Sequence, residues 1–108
     1  MQEKLCGITD WLCKMQTETY IRKGIMDALR YAGWDVTYHL QGIGSRKGFP
    51  DLTAMKDGRT VYIEVKTKNG RQSVYQKEFE KICIAHGCTY ILTRSVNDIA
   101  ELLFHERR

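Results

Sequence analysis

The sequence predicts an α/β fold in which a mixed sheet of about four strands is flanked by helices. Three observations support this prediction. Apolar residues recur at helical spacing in some segments, alternate with polar residues in others, and glycine-containing turns separate the two kinds. The predicted order is helix, strand, hairpin, helix, strand, helix. With 108 residues, the chain is long enough for one domain with a single core.

Composition narrows the class of protein. The chain is 43% hydrophobic and 28% charged, which is typical of a folded soluble protein. No apolar run approaches the roughly 20 residues that a membrane span requires, and the first four residues lack the pattern of a secretory signal. The net charge of +4 permits a polyanionic partner without requiring one. We expect a cytoplasmic location and no membrane contact.

Four cysteines raise the question of a metal or disulfide site. Cys6 and Cys13 lie too far apart for a CxxC motif, as do Cys83 and Cys88. Cys83 also falls on the apolar stripe of a predicted helix, where a free cysteine packs as a small hydrophobe. We therefore predict reduced thiols.

Two helices are predicted before the first strand. Residues 1–16 carry apolar residues at helical spacing and form a predicted N-terminal helical extension, either a lid or a subunit contact. The main domain is predicted to span 17–108. Thr17 is a candidate N-cap for a helix over 18–32, which Gly33 ends. Spacing alone favours a simple role for Glu18, because an acid in a first turn complements the helix dipole.

A predicted strand over 35–40 leads into a glycine-rich basic loop over 41–50. Its glycines fit neither the GxGxxG pattern nor the P-loop, so we expect no nucleotide cofactor. Arg46 and Lys47 suit contacts with a nucleic-acid backbone. An ordinary solvated loop is an equally good interpretation of this segment taken alone.

A β-hairpin over 52–67 is the centre of the sequence, with a turn signal at Asp57-Gly58. One face of its second strand is apolar and predicted to be core. The other face carries Glu64 and Lys66, close to Asp51 at the start of the hairpin. Adjacent carboxylates repel one another unless a cation lies between them, so this charged cluster is suited to a divalent metal. The apolar face consists of Val61, Ile63 and Val65.

The remaining chain is predicted to form a helix, a strand and a last helix. Ser73 and Gln76 fit a capping box at the start of a helix that runs to about residue 86. Gln76 therefore has two interpretations: it bonds back to the N-cap, or it faces the charged cluster. A strand over 88–93 follows. We predict that Ser95 caps the last helix, whose buried residues are Val96, Ile99, Leu102 and Leu103.

The charged cluster resembles a known nuclease signature. Pro50-Asp51, twelve residues and then Glu64-Val65-Lys66 are similar to the PD-(D/E)xK motif of a superfamily whose restriction-endonuclease-like core has the same order of elements. The neighbouring motifs sharpen the resemblance to the virus-type replication-repair nuclease (VRR-NUC) family. Those motifs are GFPDL over 48–52, IEVKT over 63–67, Gly70-Arg71, Ser73-x-x-Gln76-x-x-Phe79 and TRSVxD over 93–98.

The resemblance implies a role for each matching residue. It implies that Asp51 and Glu64 bind a metal, with Glu18 from the first helix and the backbone carbonyl of Val65 as further ligands. Lys66 would act on the attacking water or the phosphate, and Gln76 would support the site. The implied ion is Mg²⁺, with Mn²⁺ as a substitute, since both prefer hard oxygen ligands. The implied DNA contacts are Arg46, Lys47, Lys68 and Arg71.

The resemblance also implies an activity, which we state as an expectation. The expected activity is metal-dependent endonucleolytic hydrolysis of DNA. The enzyme would come from a phage or a bacterium, act in DNA repair, and work in a bacterial or phage-infected cell. Small members of the family resemble homodimeric, structure-specific enzymes that act on branched DNA such as Holliday junctions. Two alternatives stay open: a general or restriction-like trimming nuclease, and a non-catalytic nucleic-acid binding module of a repair assembly.

Overall fold

A computed structural model describes residues 17–104. The predicted N-terminal extension lies outside the described residues. The elements follow the predicted order, with bounds that differ by a few residues. They are α1 (Glu18–Tyr31), β1 (Asp35–Tyr38), β2 (Leu52–Lys56), β3 (Arg59–Val65), α2 (Val74–Ala85), β4 (Thr89–Thr93), a 3₁₀ turn (Val96–Ile99) and α3 (Ala100–Phe104).

The four strands form one mixed sheet in the order β1-β2-β3-β4. The first three strands are antiparallel, and β4 runs parallel to β3. The β2–β3 turn has φ of 49° at Asp57 and 81° at Gly58. Two successive positive φ values are what a two-residue hairpin turn requires, which explains the Asp-Gly pair. The predicted fold class and the central hairpin are confirmed.

The hydrophobic core lies on one face of the sheet, between the strands and α1, the 3₁₀ turn and α3. Its members alternate along the strands and recur at helical spacing in α1, as predicted. They are Ile21, Ile25, Leu29, Trp34, Val36, Leu52, Ala54, Val61, Ile63, Val65, Ile99 and Leu102. The opposite face of β3 therefore turns Tyr62 and Glu64 away from the core, toward α2.

The helix starts follow the predicted capping chemistry. Thr17 accepts a hydrogen bond from the backbone N–H of Tyr20 at 3.1 Å, which caps α1. At the other end, Gly33 takes a φ of 97°, in the left-handed region where glycine is favoured. The prediction for α1 is thus confirmed to within one residue.

The prediction for the last helix is wrong at its start. Residues 96–99 form a 3₁₀ turn, the Ser95 side chain makes no capping bond, and Val96 is 39% exposed. The reason is local: the Asp98 carboxylate accepts the backbone N–H of Arg94 at 2.8 Å and tightens this turn. Ile99 and Leu102 are buried as predicted. In the part of the chain that the structure describes, no helix is long and apolar enough to span a membrane.

Candidate active site

Glu64 is the most deeply buried charged residue of the site. It points from β3 toward α2, and only 1% of it is exposed. Its Oε2 accepts a hydrogen bond from Gln76 Nε2 at 2.7 Å and lies 3.7 Å from Lys66 Nζ. Its Oε1 is buried and receives no hydrogen bond from any described residue. A buried carboxylate oxygen without a donor is costly, so this atom requires a proton or a cation.

Asp51 supplies the second carboxylate of the site. It immediately precedes β2 and is buried. Its Oδ2 accepts the backbone N–H of Val65 at 2.8 Å, and its backbone carbonyl accepts the N–H of His39 at 2.8 Å. These bonds fix Asp51 against both neighbouring strands. The Val65 N–H thus orients Asp51, whereas the metal-binding role of the Val65 carbonyl stays a prediction.

Burial and the neighbouring carboxylate raise the pKa of Glu64 to about 8. Burial is the largest cause, and repulsion from the Asp51 carboxylate comes next. Lys66 opposes these effects by stabilising the charged form. When both carboxyl groups are ionised, the single Lys66 ammonium leaves one negative charge unbalanced, and a bound cation would offset it.

Gln76 satisfies both interpretations that its sequence position allowed. Its Oε1 accepts the backbone N–H of Ser73 at 2.8 Å, while Ser73 Oγ accepts the Gln76 backbone N–H at 3.1 Å, which completes the capping box. Its Nε2 remains free to donate to Glu64. The helix cap therefore holds the Gln76 amide in the orientation that reaches the carboxylate.

Lys66 is held at the end of β3 by the strand beside it. Its backbone N–H donates to the carbonyl of Thr93 at 2.9 Å, and its side chain is 13% exposed. Because β3 and β4 are parallel, their C-terminal ends meet at the same edge of the sheet. That edge places the first residues after β4 beside the catalytic candidates.

Arg94 occupies this edge, and the sequence predictions did not include it among the site residues. Its Nη1 donates to the carbonyls of Thr67 and Gly70, both at 2.6 Å, and to that of Lys68 at 3.3 Å. The segment over 67–70, directly after Lys66, is thereby held by the Arg94 guanidinium. The signal that could have identified Arg94 was a cationic residue directly after the strand that runs parallel to β3.

Glu18 approaches the site without joining its hydrogen bonds. It lies in the first turn of α1, is partly exposed, and contributes the smallest of the effects that raise the pKa of Glu64. Among residues 17–104, no three His, Cys, Asp and Glu side chains are grouped to hold a metal ion. The position of Glu18 is compatible with a helix-dipole role, and the metal-binding role of Glu18 stays a prediction.

The Asp51–Glu64 pair fits a magnesium-type ion. Mg²⁺ is usually bound by one or two carboxylates and keeps several water ligands, so a pair suffices. The unpartnered Glu64 Oε1 is a hard oxygen donor that is available to a cation. The described cysteines are both free, and neither Cys83 nor Cys88 bonds to the pair. The donor set is that of a hard cation and not of zinc.

The basic loop lies against α2. Arg46 stacks on the Phe79 ring at 4.9 Å, and Lys47 lies over Tyr75 at 5.2 Å. Gly48 makes this approach possible, because its φ is 80° and a Cβ at this position would overlap the Tyr75 carbonyl. The loop is therefore packed on the same first helical turn that presents Gln76.

The second predicted basic segment follows β3. Lys68 and Arg71 are exposed, and the Arg94 contacts hold the chain between them. The two pairs of predicted DNA-binding cations thus come from loops that flank the buried carboxylates. Their contact with DNA stays a prediction.

Comparison with known proteins identifies the fold. No family model matches the sequence, and no curated protein matches it. A solved structure named "VRR_NUC domain" superimposes with a TM-score of 0.69 at 23% sequence identity, covering 83% of this chain and 97% of that one. The described residues therefore have the fold of a VRR-NUC domain.

Proposed function

We propose that this domain is a divalent-metal-dependent nuclease that hydrolyses DNA phosphodiester bonds. The observation that carries the proposal is the buried Glu64 Oε1, which has no donor among the described residues and lies in a site with a second carboxylate, Asp51, and one ammonium, Lys66. The likeness of the fold to a VRR-NUC domain supports the same activity.

Asp51 and Glu64 would hold Mg²⁺, or Mn²⁺ in its place, and Glu18 and the Val65 carbonyl are further proposed ligands. When bound, such an ion makes a coordinated water more acidic and stabilises charge on the phosphate. The protein's part is to fix the two carboxylates. Asp51 is fixed by the Val65 N–H at 2.8 Å, and Glu64 by the Gln76 amide at 2.7 Å.

Lys66 has the position for direct action on the substrate. Its Nζ lies 3.7 Å from Glu64 Oε2, on a side chain that is 13% exposed. An ammonium beside the carboxylates can hold the attacking water by a hydrogen bond and offset negative charge on the phosphate oxygens. Arg46, Lys47, Lys68 and Arg71 would bind neighbouring phosphates, because loops with exposed cations flank the site on both sides.

We further propose that the target is branched DNA, cut by a homodimer. A domain of this size has little surface with which to read a long base sequence, so DNA shape is the more accessible feature. A two-fold dimer would offer two equivalent sites to two strands of a junction. This proposal requires the nuclease activity, whereas the nuclease activity does not require a branched target or a dimer.

A cleavage assay on matched linear, flap, fork and four-way DNA tests both levels of the proposal. We expect Mg²⁺-dependent cleavage that EDTA abolishes, and that falls at least a hundredfold in Asp51→Asn, Glu64→Gln and Lys66→Ala. Asp27→Asn and Lys77→Ala change exposed side chains outside the site and should retain activity. Symmetric nicks restricted to the four-way substrate would support junction resolution.

The same assay distinguishes the alternatives. Equal cleavage of all substrates would favour a general trimming nuclease. DNA binding that EDTA leaves unchanged, with no cleavage of any substrate, would contradict the proposal and favour a binding module.

A further inference from the structure

A cleft of about 440 Å³ lies beside the candidate active site, at the end of the edge strand β1. Its walls are largely aromatic and apolar, with an amide, a hydroxyl and a guanidinium among them. The lining residues are Tyr38, His39, Leu40, Gln41, Ser45, Arg46 and Phe49. No side chain that lines the cleft bonds to the carboxylate of Asp51 or Glu64, whose hydrogen bonds come from Val65 and Gln76.

The cleft lies directly beside the backbone of Asp51. The His39 N–H donates to the Asp51 carbonyl at 2.8 Å, and Phe49 is only two residues before Asp51. A DNA strand whose phosphate reached Asp51 would therefore carry its next nucleotide past the cleft. Arg46, at the rim, adds a positive charge for that strand's backbone.

The inner wall is rigid. The His39 and Phe49 rings meet edge to face with centroids 4.9 Å apart, and His39 Nε2 is 2.6 Å from Thr53 Oγ1. Phe49 in turn packs edge to face on Tyr62 and Phe79, at 6.0 and 5.1 Å. A surface fixed by such contacts binds a flat ring without losing side-chain freedom of its own.

The outer wall, at the end of β1, carries exposed apolar side chains. Tyr38 is 37% exposed and Leu40 is 79% exposed. The Arg22 guanidinium lies 4.2 Å from the centroid of the Tyr38 ring and stacks on it. Gln41 Nε2 points back to the carbonyls of His39 and Phe49, at 3.5 and 3.3 Å, and its Oε1 accepts no hydrogen bond from any described residue. The cleft thus offers apolar and aromatic surface together with an available acceptor.

We propose that this cleft binds one unpaired nucleobase of the DNA strand whose phosphate lies at Asp51. An aromatic and apolar cleft with a rim cation and a single amide acceptor suits a base, because a base has two apolar faces and a polar edge. A fully paired base keeps its edge within the duplex and would not enter. This inference depends on the proposed nuclease function for the position of the strand, and it gives a physical reason for selecting branched or frayed DNA.

Binding in EDTA tests the cleft independently of cleavage. The probe is a single-stranded oligonucleotide carrying 2-aminopurine, whose fluorescence falls when it stacks. We expect Tyr38→Ala and Leu40→Ala each to weaken binding about tenfold and to restore fluorescence, in line with the loss of one stacked base. Tyr31→Ala removes an aromatic ring that is 95% exposed and outside the cleft, and it should bind as the wild type does.

Cleavage of one fork substrate, with a single abasic site moved along the strand, then locates the base. We expect an approximately tenfold rise in KM only when the missing base adjoins the scissile phosphate. Unchanged binding by both cleft variants would overturn the inference even if DNA is cleaved, and so would equal effects of Tyr31→Ala. Weakened binding by the cleft variants in a protein that cleaves no substrate would support the cleft and overturn the nuclease function instead.

Discussion

The Gln76 side chain bonds to Glu64 and to its own helix cap at the same time. Nε2 donates to Glu64 Oε2 at 2.7 Å, and Oε1 accepts the Ser73 N–H at 2.8 Å. A primary amide has a donor end and an acceptor end, so the two bonds fix its rotation fully. The start of α2 thus determines the orientation of the buried carboxylate.

Replacing Gln76 with alanine separates these two contributions. Gln76→Ala and Ser73→Ala both break the capping box, and each should lower the free energy of unfolding by about 1 kcal/mol. Only Gln76→Ala also frees Glu64, so we expect it alone to lower the cleavage rate by about 10- to 100-fold. Urea denaturation and cleavage kinetics check the pair. An equal loss of activity in the two variants would show that Glu64 does not depend on the amide.

The raised pKa of Glu64 predicts how the stability of the metal-free protein changes with pH. The folded protein binds this proton more tightly than the unfolded chain, whose glutamate pKa is near 4.5. Its contribution is therefore complete below about pH 4.5 and is lost as the pH rises through about 8. We expect unfolding in EDTA to become easier by a few kcal/mol over that range.

Glu64→Gln is the control for the pH dependence, because glutamine does not titrate. Urea denaturation at several pH values should show a smaller decline for Glu64→Gln than for the wild type. Parallel curves for the two proteins would contradict the assignment of the buried proton to Glu64.

Replacing Gly48 with alanine should lower the stability of the fold, and Gly44→Ala is the matched control. Gly48→Ala adds a Cβ that overlaps the Tyr75 carbonyl, whereas Gly44→Ala adds one at a φ of 91° with no atom within 4 Å. Both substitutions incur the cost of a positive φ, about 1 kcal/mol. We expect Gly48→Ala to lose at least about 1 kcal/mol more, since the loop must leave α2. Equal unfolding free energies would show that the loop is not packed as described.

The sequence predicted the parts of the site that local patterns encode. Alternation in β3 assigned Val65 to the core and Glu64 to the other face, and the spacing of Asp51, Glu64 and Lys66 identified the charged cluster. These predictions succeeded because strand period and turn chemistry depend on near neighbours. Which face of β3 carries Glu64 could be predicted without knowledge of the rest of the fold.

Features that depend on distant segments were beyond the sequence predictions. The contacts of Arg94 reach carbonyls at least 24 residues away, and Gly48 meets the start of α2 only in the folded chain. Val96 was assigned to the core from helical spacing, but the Asp98 side chain tightens this segment into a 3₁₀ turn. The contacts of Arg94 and Gly48 join distant segments, whereas the Asp98 bond is local but is not revealed by helical spacing.

Arg94 predicts the behaviour of the segment after Lys66. Arg94→Ala removes three hydrogen bonds from one guanidinium, so the amide of Gly70, which bonds to the Thr67 carbonyl at 3.1 Å, should exchange hydrogen at least about tenfold faster. Because Lys68 lies in this segment, we also expect a higher KM for DNA. Hydrogen exchange and cleavage kinetics measure the two effects.

Arg30→Ala is the matched control for Arg94→Ala. Arg30 also donates to a backbone carbonyl, that of Val36 at 3.1 Å, but it lies on α1 away from the segment. It should lower stability without changing the KM for DNA. A KM raised equally by both variants would indicate a general loss of stability and no specific role for Arg94.

The most direct test of the account is calorimetric titration of the protein with Mn²⁺, since the central claim is that Asp51 and Glu64 together hold a divalent cation. We predict a binding site that is weakened at least tenfold in Asp51→Asn and in Glu64→Gln, and is unchanged in Asp27→Asn, whose carboxylate is exposed. Mn²⁺ binding that is the same in all four proteins, or absent from the wild type, would contradict the claim.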